Sequence, residues 1–258
     1  MANSRSWKKI FDDYNIMKHN FENTPFLLTA EQIKRSCQEF TETSEKEVRI
    51  LCKQDCREDR PEIFQENGLF LLPVKNGFYN IIKGEGYVDI PPVKDRTETY
   101  SSKLDFRLDS TKAGDSEMQH LDYAYATSLV RTFMDDSSLV MTIRGRKYTP
   151  VFDFYVGKQL INVSSVQTEV DAGYEGKAQV VLTEAKNFTA NNVIIRQLYY
   201  PLRQWQPHTR KKVRTLFFEK ARSENIYSIW EFDFHDINNY NSIQLIKSGS
   251  FNIIEQAG

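Results

Sequence analysis

The stretch QTEVDAGYEGKAQVVLTEAKN, residues 167–187, constrains the fold more than any other part of the chain. It reads as two short strands joined by a glycine-bearing turn. The first ends in acids, Glu169 and Asp171, and the second runs from Gln179 to Lys186. That second strand begins as an apolar run and turns abruptly charged at Glu184-Ala185-Lys186. Strand side chains alternate faces, so Val180, Leu182, Glu184 and Lys186 belong on one side. An acid and a lysine that continue an apolar face need a reason, because burying either alone is costly.

A hard-cation site supplies one. Asp171 and Glu184 offer carboxylate oxygens to Mg²⁺, which takes one or two carboxylates and keeps several waters. Lys186 then stands beside the attacking water and the phosphate, placed to orient or deprotonate that water and to offset transition-state charge. An acid, a variable hairpin spacer and then acid-x-Lys on the next strand resembles the PD-(D/E)XK nuclease superfamily, which includes many type II restriction endonucleases. The matching elements are Asp171 and Glu184-Ala185-Lys186. The family's usual proline before the first acid is absent, with Val170 in its place, which leaves Glu169 and Glu175 as alternatives to Asp171. The same Glu and Lys also suit an ordinary surface pair on a hairpin, worth little in stability.

With 258 residues, 40% hydrophobic and 13% aromatic, the chain can bury a sizeable core as one large or two small domains. A net charge of −1 gives no global bias towards nucleic acid, so any such face must come from clustering. Three cysteines, Cys37, Cys52 and Cys56, fit reduced thiols and a cytoplasmic location. Cys52 and Cys56 are four apart on an expected helix, with no neighbouring His or Cys to complete a zinc set. The apolar runs are too short for a membrane span, and no signal peptide is read.

Residues 1–92 read as an N-terminal helical and hairpin region. Residues 1–23 suggest one helix and a connector. Thr29 caps a helix and Gln32 completes a capping-box pattern. Thr43 or Ser44 caps a second helix over roughly residues 45–53, and a third lies near residues 61–66, ended by Gly68. Asn76-Gly77 between two apolar runs marks a hairpin. Helices followed by a hairpin resemble a winged helix, a module often used to read DNA; the other reading is that the hairpin extends the nuclease sheet. Residues 93–116, polar and charged, read as a connection or a DNA-tracking loop.

Residues 117–258 are then the catalytic domain. Ser116 starts a helix through residue 134, and the resemblance suggests that its acid, Glu117, faces the metal; a favourable place in a helix's first turn explains it equally. Residues 138–156 read as two strands around Gly145, putting Arg144, Arg146 and Lys147 at a turn suited to phosphate contact or simply to solvent. After the Glu-x-Lys strand, residues 193–205 read as a helix, whole or broken at Pro201. Many superfamily members carry a glutamine here, and Gln197 is the candidate; a Gln-x-x-x-Tyr pattern is not matched, because Pro201 holds the tyrosine position. Between residues 201 and 222 stand seven cations (Arg203, Arg210, Lys211, Lys212, Arg214, Lys220, Arg222) against one acid, Glu219, with Trp205, His208, Phe217 and Phe218 interleaved. That is the most nucleic-acid-like stretch of the chain, equally readable as an exposed loop balanced by distant acids. The remaining residues alternate as strands.

The fold class expected is α/β (α+β), a mixed central β-sheet flanked by helices, with a winged-helix-like N-terminal region. The resemblance implies a Mg²⁺-dependent, sequence-specific endonuclease acting on double-stranded DNA, and a homodimer to match a two-fold site. Two other readings stand beside it: a non-catalytic winged-helix DNA-binding regulator, and a nuclease of repair type. No P-loop and no Gly-x-Ser-x-Gly elbow occurs, which disfavours ATPase and serine-hydrolase chemistry.

Overall fold

A computed structural model of the protein describes residues 3–221 and 225–255. The N-terminal part runs α1 (Ser4–Asp13), β1 (Phe26–Thr29), α2 (Ala30–Cys37), α3 (Thr43–Lys46), α4 (Val48–Leu51), α5 (Glu62–Glu66), β2 (Leu69–Lys75) and β3 (Phe78–Lys83). Thr29 makes the expected capping box, its hydroxyl accepting from the Gln32 amide while the Gln32 side chain accepts from the Thr29 amide. The single helix expected over residues 45–53 is instead two short ones, because Glu47 takes an extended conformation between them. Asn76-Gly77 turns the β2–β3 hairpin, with Gly77 at φ +76°. Strand β1 joins its far side, giving a separate three-stranded sheet in the order β1-β3-β2. The hairpin therefore does not extend the large sheet. Trp7, Phe11 and Phe64 stack edge to face in the core of this part.

The rest of the chain continues with β4 (Tyr87–Asp89), β5 (Glu98–Ser101), α6 (Glu117–Ala126), α7 (Leu129–Phe133), β6 (Val140–Tyr148), β7 (Phe152–Val156), β8 (Gln159–Val163), β9 (Gln167–Glu175), β10 (Gln179–Lys186), β11 (Asn192–Ile194), α8 (Arg196–Trp205), β12 (Lys212–Lys220), β13 (Ile226–Phe234) and β14 (Ile243–Ile254). A seven-stranded mixed sheet has the order β5-β14-β13-β12-β10-β9-β6. Its β10–β12 and β14–β5 pairs are parallel and the others antiparallel. Helices α6 and α7 cover one face, over Ala172, Tyr174, Val181 and Ala185. Helix α8 covers the other, over Val170, Val180 and Leu182. The protein is thus a mixed α/β fold with a large mixed sheet between helices. Among the described residues no helix is long and apolar enough to cross a membrane.

Three local expectations are corrected here. The helix after Ser116 ends at Ala126, where Ser128, at φ +67°, turns the chain before α7. Gly145 does not turn a hairpin: β6 runs through it to Tyr148, with Gly145 at φ +91° absorbing an irregular register. Residues 93–116 are more than a connection, since β5 forms one edge of the large sheet beside β14.

The basic stretch after Pro201 is likewise not a loop. It begins as the second half of α8, which is continuous through Pro201, and ends as β12, an interior strand with Phe217 and Phe218 buried in the core. Arg222 lies outside the described residues.

Candidate active site

Strands β9 and β10 pair only from Val180↔Glu175 to Thr183↔Ala172. Past that point they splay, and the cause lies in β9. Its register with β6 passes from Ile143↔Gly173 to Gly145↔Val170, so Asp171 and Ala172 together face the single residue Arg144. Such a bulge re-aims side chains. Val170 sits under α8, whereas Ala172 and Tyr174 sit under α6. Asp171 stands where the face changes, and its Oδ2 accepts the Ala185 amide at 2.8 Å in place of a ladder bond.

Beyond the splay, Glu184 and Lys186 continue the α8 side of β10, as the alternation predicts. They open into a cleft of about 540 Å³. Asp171 and Glu169 line it from β9, Glu117 from the start of α6, and Gln197 from the first turn of α8. The structure therefore brings together all five residues assigned to the chemistry. Of the alternatives to Asp171, Glu169 borders the cleft but pairs with Arg146 at 3.0 Å. Glu175 lies at the other end of β9 and binds Lys211.

Burial dominates the electrostatics. Glu184 is 9% exposed, and desolvation pushes its carboxyl up to about 7, against the pull of Lys186. Asp171 is also raised, first by burial, with the Ala185 amide and Lys186 opposing and Glu117 and Glu169 adding repulsion. Burial alone would lower Lys186, but Glu184, whose Oε1 lies 2.6 Å from its Nζ, more than offsets it, so the ammonium is held above its usual range. A lysine held in that state cannot accept a proton near neutrality; it donates hydrogen bonds and positive charge. On α8, Gln197 Oε1 is buried with no hydrogen-bond donor among the described residues. Pro201, one turn later, also removes the amide that would have bonded the Gln197 carbonyl.

The donor set suits a hard cation bound largely through water. Asp171 and Glu184 each commit one oxygen to a protein donor, leaving the other without one among the described residues. Two desolvated carboxylates with raised pKa values gain from a nearby divalent charge. Among the described residues no three His, Cys, Asp or Glu side chains gather closely enough to hold a metal by themselves. Two carboxylates are a donor set that Mg²⁺, which keeps several waters, could use.

The cations expected to touch nucleic acid have different placements. Arg146 lines the cleft. Arg144 binds the Asp122 carboxylate and the Asp171 carbonyl, bracing the bulge. The Lys147 ammonium lies over the Trp205 ring, 4.4 Å from its centroid. Arg203 donates to the carbonyls of Asp153 and Ile237 and stacks over Phe152. Lys211, Lys212 and Arg214 pair with Glu175, Asp233 and Glu231. Arg210 is exposed. Two cleft cations were not among the site residues expected from sequence: Arg49 on α4 and Arg196 at the start of α8, which pairs with Asp55 at 3.7 Å. Neither has a local sequence signal, because each reaches the cleft only through tertiary packing.

Two family models match the chain. One, described as "Domain of unknown function (DUF6996)", covers residues 4–81, and the other, "Domain of unknown function (DUF6997)", covers residues 82–252. The latter spans well over half of the sequence, and the chain belongs to the DUF6997 family. Comparison with curated proteins and with solved structures found no match.

Proposed function

We propose that the protein is a Mg²⁺-dependent endonuclease of restriction type, hydrolysing phosphodiester bonds in double-stranded DNA. The observation that carries this reading is the single cleft in which Asp171, Glu184, Lys186, Glu117 and Gln197 meet at the splayed end of β9 and β10. Asp171 and Glu184 hold the cation, with Glu117 adding negative charge nearby. Bound there, Mg²⁺ lowers the pKa of water and neutralises charge on the phosphate. Lys186, kept protonated by Glu184, orients the attacking water and stabilises the phosphorane-like charge, and the Gln197 carbonyl accepts from the same water. Arg146, at the cleft edge, contacts phosphate. A symmetric dimer presents two such clefts, one to each strand of a palindromic site.

The order helix–strand–helices–hairpin, with β1 paired to β3, supports a winged-helix role for the N-terminal part in reading DNA. On this basis the second reading, a metal-independent DNA-binding regulator, keeps its place. Incubating long mixed-sequence DNA with Mg²⁺ and wild type, Lys186→Ala or Glu184→Ala separates them. Discrete fragments from wild type, with losses of about 10²–10⁴-fold in both variants, are expected. Metal-independent binding without cleavage would favour the regulator, and cleavage surviving both substitutions would move the site elsewhere.

A further inference from the structure

The N-terminal region is fastened to the cleft. The Asp55 carbonyl accepts the Ile194 amide at 2.8 Å, and Asn192 is gripped by the Arg57 amide and the Glu58 carboxylate. Tyr200, a cleft residue on α8, donates to the Pro73 carbonyl at 2.9 Å. These bonds hold α4 at the cleft rim with Arg49 exposed on its wall.

The cleft is lined by four acids and four cations: Glu117, Glu169, Asp171 and Glu184 against Arg49, Arg146, Lys186 and Arg196. Three of the cations have carboxylate partners: Arg146 with Glu169, Lys186 with Glu184, and Arg196 with Asp55. Arg49 has none among the described residues. A guanidinium that stays unpaired in a cleft rich in carboxylates, while being held there by a docked region, is placed for an anion arriving from outside.

We infer that Arg49 is a positioning residue that binds a backbone phosphate flanking the scissile one, so that the N-terminal region completes the substrate groove. This rests on the nuclease reading and deepens it. The substrate must extend past the bond being cut, which makes it a polynucleotide and not a mononucleotide ester.

The test compares wild type with Arg49→Ala, Arg49→Lys and Arg49→Glu on linear duplex DNA, reading KM, kcat and the salt dependence of duplex affinity. Arg49 is exposed, so the variants should fold, and thermal unfolding checks this. The expected result for Arg49→Ala is a KM raised about 10-fold, with the loss falling on KM and not on kcat, and a log–log salt slope smaller by about one. Lysine should restore part of the loss and glutamate should deepen it. A loss confined to kcat, an unchanged KM and salt slope, or equal behaviour of the lysine and glutamate variants would overturn the assignment. Wild type that neither cuts nor binds DNA would report failure of the nuclease reading itself, and the assignment would fall with it.

Discussion

The large sheet carries two buried Glu–cation pairs, their glutamates on strands either side of β12, with opposite surroundings. Glu231 on β13 is 1% exposed and bonded by Arg214, with Lys247 at 3.8 Å. Two cations thus stand against that one carboxylate. Glu184 on β10 is nearly as buried, but has one cation, Lys186, and further acids close by, and it opens onto a cleft. The difference is one of completion. A carboxylate with two cations around it ties strands together, whereas one left short of positive charge beside a cavity is prepared to receive some.

The comparison is sharpest where the two pairs are broken in turn. Lys186→Ala should remove nearly all cleavage while leaving the fold intact. Arg214→Ala should do the reverse, costing about 2–4 kcal/mol of stability because it strands a buried carboxylate, with any activity loss tracking the unfolded fraction. Parallel denaturation and cleavage assays read both; an inactive but fully stable Arg214→Ala protein would break the contrast.

The Glu184 pair also carries a pH dependence of its own. The Glu184 carboxyl sits above its ordinary 4.5, at about 7. Over that window the folded protein holds a proton that the unfolded chain has released, so metal-free stability falls as pH rises. The decline should amount to about 1–3 kcal/mol, shrink in Glu184→Gln and be relieved by Mg²⁺. Urea unfolding at a series of pH values measures it, and an equal slope in wild type and variant would remove Glu184 as its source. By the same linkage, Mg²⁺ affinity should strengthen as pH rises through about 7.

The smallest effect probes the bulge that separates the strands. A Cβ on Gly173 would lie 2.6 Å from the Ile143 Cβ on β6. Neither atom is the end of a flexible side chain, so Gly173→Ala should shift β6 against β9 and cost about 1–3 kcal/mol. Thermal unfolding reads the cost, and an unperturbed variant would mean that β6 does not fix the geometry of the cleft.

Much of the site was legible from residue order, because its core is local. The alternation of Val180, Leu182, Glu184 and Lys186 fixes their common face with no knowledge of the rest of the fold, and Thr29 and Asn76-Gly77 act over three or four residues. What was not legible depends on partners distant in sequence. Gly145 resembles a turn until β9 is seen to need a positive φ opposite its bulge. The carboxylate partners of Lys211, Lys212 and Arg214 appear only once β12 is placed between β10 and β13, where Glu175, Asp233 and Glu231 meet them. Arg49 reaches the cleft across more than a hundred residues of chain, a distance no local pattern spans.

The hydrogen bond from the Ala185 amide to Asp171 gives one carboxylate two employments. It closes a rung that the bulge has left open, and it stands ready as a ligand. Seam integrity and cation occupancy are therefore thermodynamically coupled: whatever draws electron density from Asp171 weakens its hold on Ala185, and whatever frays the seam loosens the ligand. Local breathing of these two strands is thus a property of the cleft as much as of the sheet.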